Sequence, residues 1–306
     1  MTQSSSHASQ TPARNESHLT LRARLFIALQ CALPQHALSR LVHRIARSRL
    51  PLAKNVLIRA FVRAFNPDMD GAREPHALHY PSFNAFFTRA LEPQARPIDP
   101  DARAVVSPVD GTVSQIGYLK GGSILQAKGR TYELDALLCN HRAWVERLAG
   151  GAFATLYLAP RNYHRIHMPL AAQLHAAWYT PGRLFSVNET TASGVSGLFA
   201  RNERVVCAFE TASGLPFAMV LVGALFVGSI HTRWHGDVTP CSPRQAQDLA
   251  VPGGPSPLPK GAEMGRFNMG STVVLLFPPA SVSWLPELAA GSRIRVGQRL
   301  ALLSAA

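Results

Sequence analysis

A glycine and a serine, Gly270-Ser271, stand where a turn runs into the short apolar segment 273–277. β-Branched residues followed by Pro278-Pro279 predict a buried strand that ends there. A glycine at such a junction has no Cβ to block approach to its carbonyl carbon. If a base activates Ser271, its Oγ can attack that carbonyl and move the acyl group from nitrogen to oxygen. β-Elimination of the ester then cuts the chain and leaves a dehydroalanine, which hydrolyses to an N-terminal pyruvoyl group.

Taken alone, Gly-Ser-Thr before a strand is more often a plain turn, so other residues must supply the base. His164 and His167 are three residues apart and lie between Pro160 and Pro169. The bracketed segment is too short to predict a helix that brings both rings to one face. No nearby Glu or third His completes a ligand set at the usual spacing, so we expect no metal site.

Asp110 follows Pro108-Val109 and precedes Gly111. Asp-Gly is a common tight-turn pair, which gives this carboxylate a purely structural explanation. The Pro-Val-Asp-Gly segment is also similar to the turn of biotinyl and lipoyl carrier domains. A non-catalytic, membrane-associated domain of that type is therefore one alternative, although the methionine-flanked lysine of such carriers is missing.

The 306 residues are 47% hydrophobic and carry a formal charge of +13, which predicts a sizeable core and an anionic partner. Four scattered cysteines without a Cys-x-x-Cys pair argue against a zinc site and a disulfide scaffold. No apolar stretch reaches the roughly eighteen residues of a membrane span. Residues 1–18 lack the layout of a secretory signal and are predicted to be a disordered tail.

Residues 19–65 show the spacing of amphipathic helices in three segments separated by Pro34 and Pro51. Lys and Arg recur there, and no Asp or Glu occurs between Glu16 and Asp68. Basic helices with Leu and Phe on the apolar face are typical of a membrane interface. The alternative is a helical cap with solvated arginines. Nucleic acid is not expected as a partner, because the basic residues are not interleaved with exposed aromatics.

The remainder, residues 66–306, is predicted to be one β-rich catalytic domain. One short helix is expected over 83–91, with Ser82 as its N-cap, and another over 134–148. Short β-branched runs broken by Gly and Pro predict the strands 105–106, 112–116, 153–158, 205–209, 217–222 and 272–277. The expected fold class is α+β, with N-terminal amphipathic helices followed by a β-rich catalytic core.

From about Leu25 to the C-terminus, the chain resembles the bacterial phosphatidylserine decarboxylases, which are pyruvoyl-dependent membrane enzymes made as proenzymes. Separated motifs in a specific order carry the resemblance. They are FNAFFTR at 83–89, RPID at 96–99, PVDG at 108–111, ILQAKG at 124–129, YHRIHMP at 163–169, LFSVN at 184–188, FARNER at 199–204 and MGRF at 264–267. Met269 and Val109 depart from the family's usual residues, but each replaces one apolar residue with another.

The resemblance implies self-cleavage between Gly270 and Ser271 into a β-chain, residues 1–270, and an α-chain, residues 271–306. It implies a charge-relay set in which Asp110 orients His167 and His167 deprotonates Ser271. His164 would assist decarboxylation as a proton donor to the product carbon. Ser271 would become the pyruvoyl group, the only cofactor implied, with no metal.

The implied reaction converts phosphatidylserine to phosphatidylethanolamine and CO2 in phospholipid biosynthesis. A Schiff base between the substrate amine and the pyruvoyl ketone would delocalise the carbanion that loss of CO2 leaves. Asn188, Arg201 and Arg204 would contact the phosphodiester head group, since Arg binds phosphate through two hydrogen bonds. A surface ion-pair cluster of Arg201, Glu203 and Arg204 is an equally good explanation.

The resemblance further implies a peripheral enzyme on the cytoplasmic side of the cell inner membrane, bound to phosphatidylserine in an anionic membrane. The β- and α-chains would remain packed together, and a homodimer is left open. A second alternative is a single-chain serine hydrolase that uses Asp110, His167 and Ser271 on external esters. The absence of Gly-x-Ser-x-Gly argues against that enzyme.

Overall fold

Three helices open the described part of the chain, which comprises residues 20–127, 129–225, 229–239, 245–249 and 256–304 of a computed structural model. They are α1 Leu21–Ala32, α2 Gln35–Ala46 and α3 Pro51–Phe65. The Thr20 hydroxyl accepts a hydrogen bond from the N–H of Ala23 and caps α1. Pro51 stands in the first turn of α3, where a missing N–H is tolerated. The tail predicted over residues 1–18 lies outside the described residues.

Helix α1 buries a polar side chain and exposes apolar ones. In α1, Leu21, Leu25 and Leu29 are 72%, 61% and 58% exposed, whereas Gln30 is 1% exposed. The leucines of α1 therefore face away from the rest of the protein, whereas Ile58 of α3 is buried against it. None of the helices in the described ranges combines the length and hydropathy needed to cross a bilayer.

A 3-10 turn, Ala77–His79, follows α3, and the remaining α-helices are short. They are α4 Phe83–Phe87, α5 Leu134–Leu137, α6 Arg142–Leu148, α7 Glu189–Gly194 and α8 Leu198–Arg201. Ser82 caps α4 as predicted, since its Oγ accepts from the N–H of Ala85. The single helix predicted over 134–148 is wrong, because Cys139 and Asn140 adopt positive φ angles of 57° and 59°. Such left-handed residues interrupt a right-handed helix, so α5 and α6 are separate.

All six strands predicted from β-branched runs are present, together with others that the pattern does not predict. In chain order they are β1 Ala104–Val106, β2 Gly111–Tyr118, β3 Ser123–Ala127, β4 Arg130–Glu133, β5 Ala152–Tyr157, β6 Arg165–His167, β7 Gln173–Thr180, β8 Arg204–Glu210, β9 Pro216–Val222, β10 Ile230–Thr232, β11 Gly236–Asp237, β12 Gln247–Asp248, β13 Glu263–Phe267, β14 Thr272–Phe277, β15 Val282–Trp284, β16 Arg293–Ile294 and β17 Arg299–Leu303. Together with the N-terminal helices they confirm the α+β fold class.

An antiparallel sheet forms the centre of the protein, with the strand order β12-β7-β8-β9-β14-β5-β2-β16 within the described residues. Its middle strand β14 is buried at every position, because both of its faces are covered. Thr272, the first residue of β14, pairs with Tyr157 on β5 and with Val222 on β9. Ser271 therefore lies at the N-terminal end of the most buried strand of the central sheet.

A second antiparallel sheet, ordered β11-β10-β13-β6, carries the two sequence segments that meet at this end of β14. Strand β13 leads into Gly270-Ser271, and β6 contains His167. Arg266 on β13 pairs with Arg165 on β6, which brings the histidine motif beside the cleavage segment. Two smaller sheets, β1-β17-β15 and β3-β4, complete the architecture of the described residues.

Candidate active site

Ser271 is held between two strands of the central sheet. Its side chain is completely buried, and its Oγ donates a hydrogen bond to the carbonyl oxygen of Val222. Its own carbonyl accepts a hydrogen bond of 2.9 Å from the N–H of Leu158. Both the hydroxyl and the backbone of the candidate nucleophile are thus fixed by neighbouring chain.

His164 is the imidazole that faces Gly270. A Cβ built on Gly270 would lie only 2.9 Å from His164 Nε2 and 3.3 Å from the carbonyl oxygen of Leu158. A side chain at position 270 would therefore collide with the ring. Glycine lets the backbone at the Gly270-Ser271 peptide approach the imidazole closely.

The His164 ring is buried and has no hydrogen-bond partner at either nitrogen among the described residues. It packs against Phe87, with ring centroids 4.0 Å apart. Burial, assisted by the positive charge of Arg89, lowers the pKa of His164 to about 3. The ring is therefore neutral near pH 7 and presents an unused nitrogen beside Gly270. Unpartnered buried polar groups are uncommon in proteins, and a catalytic role is one explanation for such a group.

The FNAFFTR motif explains how this histidine is positioned. Phe87 supplies the ring against which His164 packs, and Arg89 donates hydrogen bonds to the carbonyl oxygens of Asp68, Arg161 and Asn162. Arg89 is itself 1% exposed, so these contacts fix the backbone just before the histidine from inside the protein. Charged donors make stronger hydrogen bonds than neutral ones.

His167 lies in a different environment. Its Nδ1 is 2.8 Å from the carbonyl oxygen of Gly261, and its Nε2 is 3.0 Å from the hydroxyl of Tyr163. Since a carbonyl can only accept, we assign the ring proton to Nδ1, which leaves Nε2 as the acceptor from Tyr163. Burial lowers the pKa of His167, so this ring is also neutral near pH 7. Neither nitrogen bonds to Asp110 or Ser271.

Asp110 bonds to an arginine instead of a histidine. Its carboxylate accepts from Arg96 Nε at 3.0 Å and Nη2 at 2.6 Å, and from the N–H of Val296 at 2.8 Å. A bidentate, charge-assisted pair is stronger than a bond to a neutral imidazole. The predicted set of Asp110, His167 and Ser271 is therefore not hydrogen-bonded in this conformation, and the roles of the three residues in self-cleavage stay a prediction. Sequence reasoning missed Arg96 as a partner, although the RPID motif contains it.

A cavity of about 320 Å³ opens beside Gly270. Its walls are mostly apolar, and α2 and α3 contribute Val42, Phe61 and Phe65 to them. Asn188 also lines the cavity. Its Oδ1 caps α7 by accepting from the N–H of Thr191. The cavity thus connects the exposed apolar helices with the glycine before Ser271.

Arg201 and Arg204 do not line this cavity, in contrast to the head-group role predicted for them. Arg204 is 2% exposed, and its guanidinium donates to the carbonyl oxygens of Leu137, Ala200, Asn202 and Ala136. The predicted substrate contact is wrong for Arg204, because its donors are used inside the fold. The surface ion-pair alternative fails for the same residue.

Arg201 is exposed, with its guanidinium carbon 5.4 Å from the ring centre of Phe185. It therefore stacks on an aromatic ring outside the cavity. No group of three or more His, Cys, Asp or Glu side chains within the described ranges is arranged to hold a metal ion.

Comparison with known proteins gives the family. A family model described as phosphatidylserine decarboxylase matches residues 83–302, and a second, described as PSD, matches residues 25–66. The chain belongs to the phosphatidylserine decarboxylase family. This result confirms the resemblance that the separated motifs carry.

Several phosphatidylserine decarboxylase proenzymes are similar to the chain over nearly its whole length. The proenzyme of Pseudomonas fluorescens is 50% identical over 285 residues, which are 92% of this chain and 98% of that protein. The proenzyme of Nitrosococcus oceani is 51% identical over 284 residues, 92% of each chain. That of Bordetella pertussis is 49% identical over 287 residues, 93% of this chain and 96% of its own.

Membership of the decarboxylase family agrees with the geometry and leaves the serine hydrolase alternative without support. A hydrolase needs a nucleophile that an external ester can reach. Ser271 is completely buried, and its hydroxyl bonds to Val222. The carrier-domain alternative fails as well, since the decarboxylase family model spans the Pro-Val-Asp-Gly turn itself.

Proposed function

We propose that the chain is a phosphatidylserine decarboxylase proenzyme that cuts itself between Gly270 and Ser271. The mature protein then converts phosphatidylserine to phosphatidylethanolamine and CO2. One observation carries the proposal: the Gly270-Ser271 peptide lies at an apolar cavity, directly beside the unpartnered imidazole of His164. The names of the relatives supply the substrate class.

Self-cleavage requires only groups of the chain and water. Ser271 Oγ attacks the Gly270 carbonyl carbon, and the acyl group passes from nitrogen to oxygen. Elimination of the ester releases the Gly270 carboxylate and leaves dehydroalanine at 271, and water then displaces ammonia to give the pyruvoyl group. For His167 to act as the base, its Nε2 has to leave Tyr163, and Ser271 has to leave Val222. We therefore expect the cleaving conformation to differ from this one around His167.

The surroundings of residue 271 fit a pyruvoyl group, because they combine an adjacent glycine with a neutral, unpartnered imidazole. When present, the pyruvoyl ketone supplies the electron sink that decarboxylation needs. His164 Nε2 is the nearest acid–base nitrogen to position 270 and is suited to deliver a proton to the product carbon. Phe87 and the surrounding core exclude water from that nitrogen.

In the bound substrate, the acyl chains lie in the apolar cavity and the head group lies at its inner end. Asn188 is the predicted head-group contact that lines the cavity, and its Nδ2 makes no hydrogen bond within the described residues. Phe61 and Phe65 on α3 form the side from which a lipid enters. A phospholipid thereby reaches Gly270 without its chains crossing water.

The same helices attach the protein to the membrane. Their exposed leucines provide apolar area, and residues 17–67 contain Lys and Arg but no Asp or Glu. Such a surface binds an anionic bilayer at its interface. We assign residues 19–65 to peripheral attachment on the cytoplasmic side of the cell inner membrane, with residues 66–306 as the catalytic domain. Each of these assignments is part of the proposal.

After cleavage, the α-chain 271–306 remains bound to the β-chain 1–270. Its first strand β14 pairs with β5 on one side and with β9 on the other. Asp110 of the β-chain accepts from the Val296 N–H of the α-chain, which adds a buried contact near the other end. A cut before β14 leaves all of these hydrogen bonds intact.

Intact-mass analysis of the purified protein tests the proposal. We expect two chains, the smaller beginning with a pyruvoyl group at residue 271, together with formation of phosphatidylethanolamine from phosphatidylserine vesicles. Ser271→Ala removes the attacking oxygen and should abolish cleavage and activity. Ser281→Ala is the matched control, because its hydroxyl only caps a turn by bonding to Pro278. An uncut wild-type chain that decarboxylates the lipid contradicts the proposal.

Histidine variants separate cleavage from turnover. His164→Ala should be cut and yet lose about 10²–10⁴-fold in decarboxylation rate, the range for a general acid. His167→Ala should remain uncut, and so should Asp110→Asn if Asp110 orients that ring. If His164→Ala remains uncut and His167→Ala is processed, then the two roles are exchanged, as the proximity of His164 to Gly270 would allow.

A further inference from the structure

One wall of the substrate cavity is an extended segment, residues 182–188, whose last three residues line the cavity. Successive N–H groups of an extended chain point in opposite directions. Phe185 is bonded on the side of the core, where its N–H donates to Asn202 Oδ1 at 3.1 Å and its carbonyl accepts from Asn202 Nδ2 at 2.8 Å. Both backbone polar groups of Phe185 therefore have hydrogen-bond partners in the core.

The opposite edge of the segment bonds to the N-terminal helices. The N–H of Leu184 donates to Gln35 Oε1 at 2.8 Å, and the N–H of Ser186 donates to Gln30 Oε1 at 2.7 Å. Two glutamine side chains thus take the place that a neighbouring strand would occupy. We call Gln30 and Gln35 the glutamine clamp.

Further contacts fix the clamp itself. Gln35 Nε2 donates to the carbonyl oxygen of Gln30 at 2.7 Å, which ties the start of α2 to the last turn of α1. His36 Nε2 lies 2.9 Å from the carbonyl oxygen of Gly182 and extends the contact by one more residue. The two glutamines are only 1% and 2% exposed, so their bonds are shielded from water.

The clamp holds helices whose leucines point outward. Those leucines do not pack on the catalytic domain, so the polar contacts to residues 182–186, together with Ile27 packed on the core and the Arg47–Asp237 ion pair, set where α1 and α2 sit on it. The same contacts set where the following residues, Val187 and Asn188, lie in the cavity. Losing a glutamine oxygen would leave a buried N–H unpaired, and that segment would move.

We propose that Gln30 and Gln35 are positioning residues for phosphatidylserine binding, which act through the 182–188 segment. They fix the position of the membrane-facing helices relative to the cavity wall. The lipid entrance formed by α2 and α3 then leads to Asn188 and Gly270. This assignment rests on the proposed decarboxylase function. It predicts that the clamp affects substrate binding more than the chemical step.

The test is the double variant Gln30→Met, Gln35→Met, compared with wild type and with Ser39→Ala. Methionine keeps the length of the side chain and removes the acceptor. Ser39 is the matched control, because it is buried in α2 and its hydroxyl has no partner among the described residues. For the clamp variant we expect normal cleavage into two chains and a KM for phosphatidylserine in mixed micelles about tenfold higher, with kcat within about twofold, as for the loss of two neutral hydrogen bonds.

Amide hydrogen exchange at Leu184 and Ser186 provides a readout that does not depend on activity. Both amides should exchange faster in the clamp variant and remain protected in Ser39→Ala. Unchanged protection, or a KM equal to that of wild type in a normally cleaved variant, overturns the proposal. If wild type neither cleaves nor turns over lipid, then the proposed function fails, while the exchange measurement still decides whether the clamp holds the segment.

Discussion

Leucine side chains are exposed in helix α1 and buried in strand β14. In β14 every side chain is buried, including Leu275 and Leu276, whereas in α1 Leu25 and Leu29 are more than half exposed. Both segments are short and rich in leucine, so local composition does not account for the difference. The strand lies between two neighbouring strands of a sheet with both faces covered, and the helix presents its apolar stripe to the outside.

The contrast shows where the apolar surface of each region is buried. The sheet completes its core with protein alone, so its leucines contribute directly to folding. Helix α3 does gain such free energy, since Ile58 is buried with the phenylalanines of α4, whereas the exposed leucines of α1 gain none from the catalytic domain. Polar contacts such as the glutamine clamp attach α1 and α2. Their leucines contribute only when a second apolar phase covers them, which we propose to be the membrane.

The sharpest test of this contrast is the same substitution in both regions. Leu275→Ala should lower the free energy of unfolding by about 2–5 kcal/mol, the range for a leucine deleted from a closed core. Leu29→Ala should lower it by no more than about 0.5 kcal/mol, since an exposed side chain leaves no cavity. Urea unfolding of the uncut Ser271→Ala protein measures both without interference from cleavage. Equal losses would mean that α1 packs on the domain in solution.

The two predicted head-group arginines give the next test. Arg204→Met leaves four carbonyl oxygens without their buried donor and should destabilise the protein by about 3 kcal/mol or more. Arg201→Met removes a stacked but exposed guanidinium and should lose about 1 kcal/mol or less.

Activity per cleaved molecule should be unchanged in Arg201→Met, because Arg201 does not line the cavity. A raised KM for phosphatidylserine in that variant would show that Arg201 contacts the head group after all. Urea unfolding of both arginine variants in the Ser271→Ala protein measures the two stabilities on the same scale.

The elements of both regions could be predicted from local sequence. Leucine spacing predicted the helices, and β-branched runs predicted the six strands with small errors at their ends. The break between α5 and α6 could not be predicted in this way, because Cys139 and Asn140 have no Gly or Pro beside them. Nor does spacing reveal whether an apolar stripe faces protein or solvent, so the exposure of Leu29 needed the structure.

The candidate site was predicted less completely. The motif resemblance identified Ser271, Gly270 and His164, which the fold brings together. The partner of Asp110 depends on which long side chain reaches it across the fold. Arg96 is fourteen residues from Asp110 in sequence, and nothing in local sequence favours it over His167. Arg204 was misassigned because a motif arginine can bind either a ligand or backbone carbonyl groups, and only its burial in the structure distinguishes the two roles.

The exposed leucines of α1 contribute little to stability in the first test, but membrane binding should depend on them. Leu25→Ala together with Leu29→Ala removes apolar side-chain area worth about 0.8 kcal/mol per CH2 group from the membrane-facing stripe. Binding to anionic vesicles, measured by co-sedimentation, should weaken at least about tenfold, although the stability of the protein hardly changes. Leu125→Ala is the matched control, because Leu125 is also exposed but lies on β3 of the catalytic domain. Equal binding by both proteins would exclude α1 from the membrane contact.

A further prediction compares a histidine of the buried site with one in the helices. The pKa of His164 is about 3 in the folded protein and about 6.5 when unfolded, so between these values only the unfolded chain binds the proton. The contribution of His164 to the free energy of unfolding is fully present above about pH 6.5 and is lost as pH falls towards 3, by about 1.4 kcal/mol per pH unit.

His43 in α2 also has a lowered pKa, through partial burial and the charge of Arg47, but solvent screens it. In the uncut Ser271→Ala protein, His164→Asn should therefore flatten the pH dependence of unfolding much more than His43→Asn, since carboxylate titration cancels in the comparison. Parallel curves for the parent protein and the His164 variant would mean that His164 is not held neutral by burial beside Gly270.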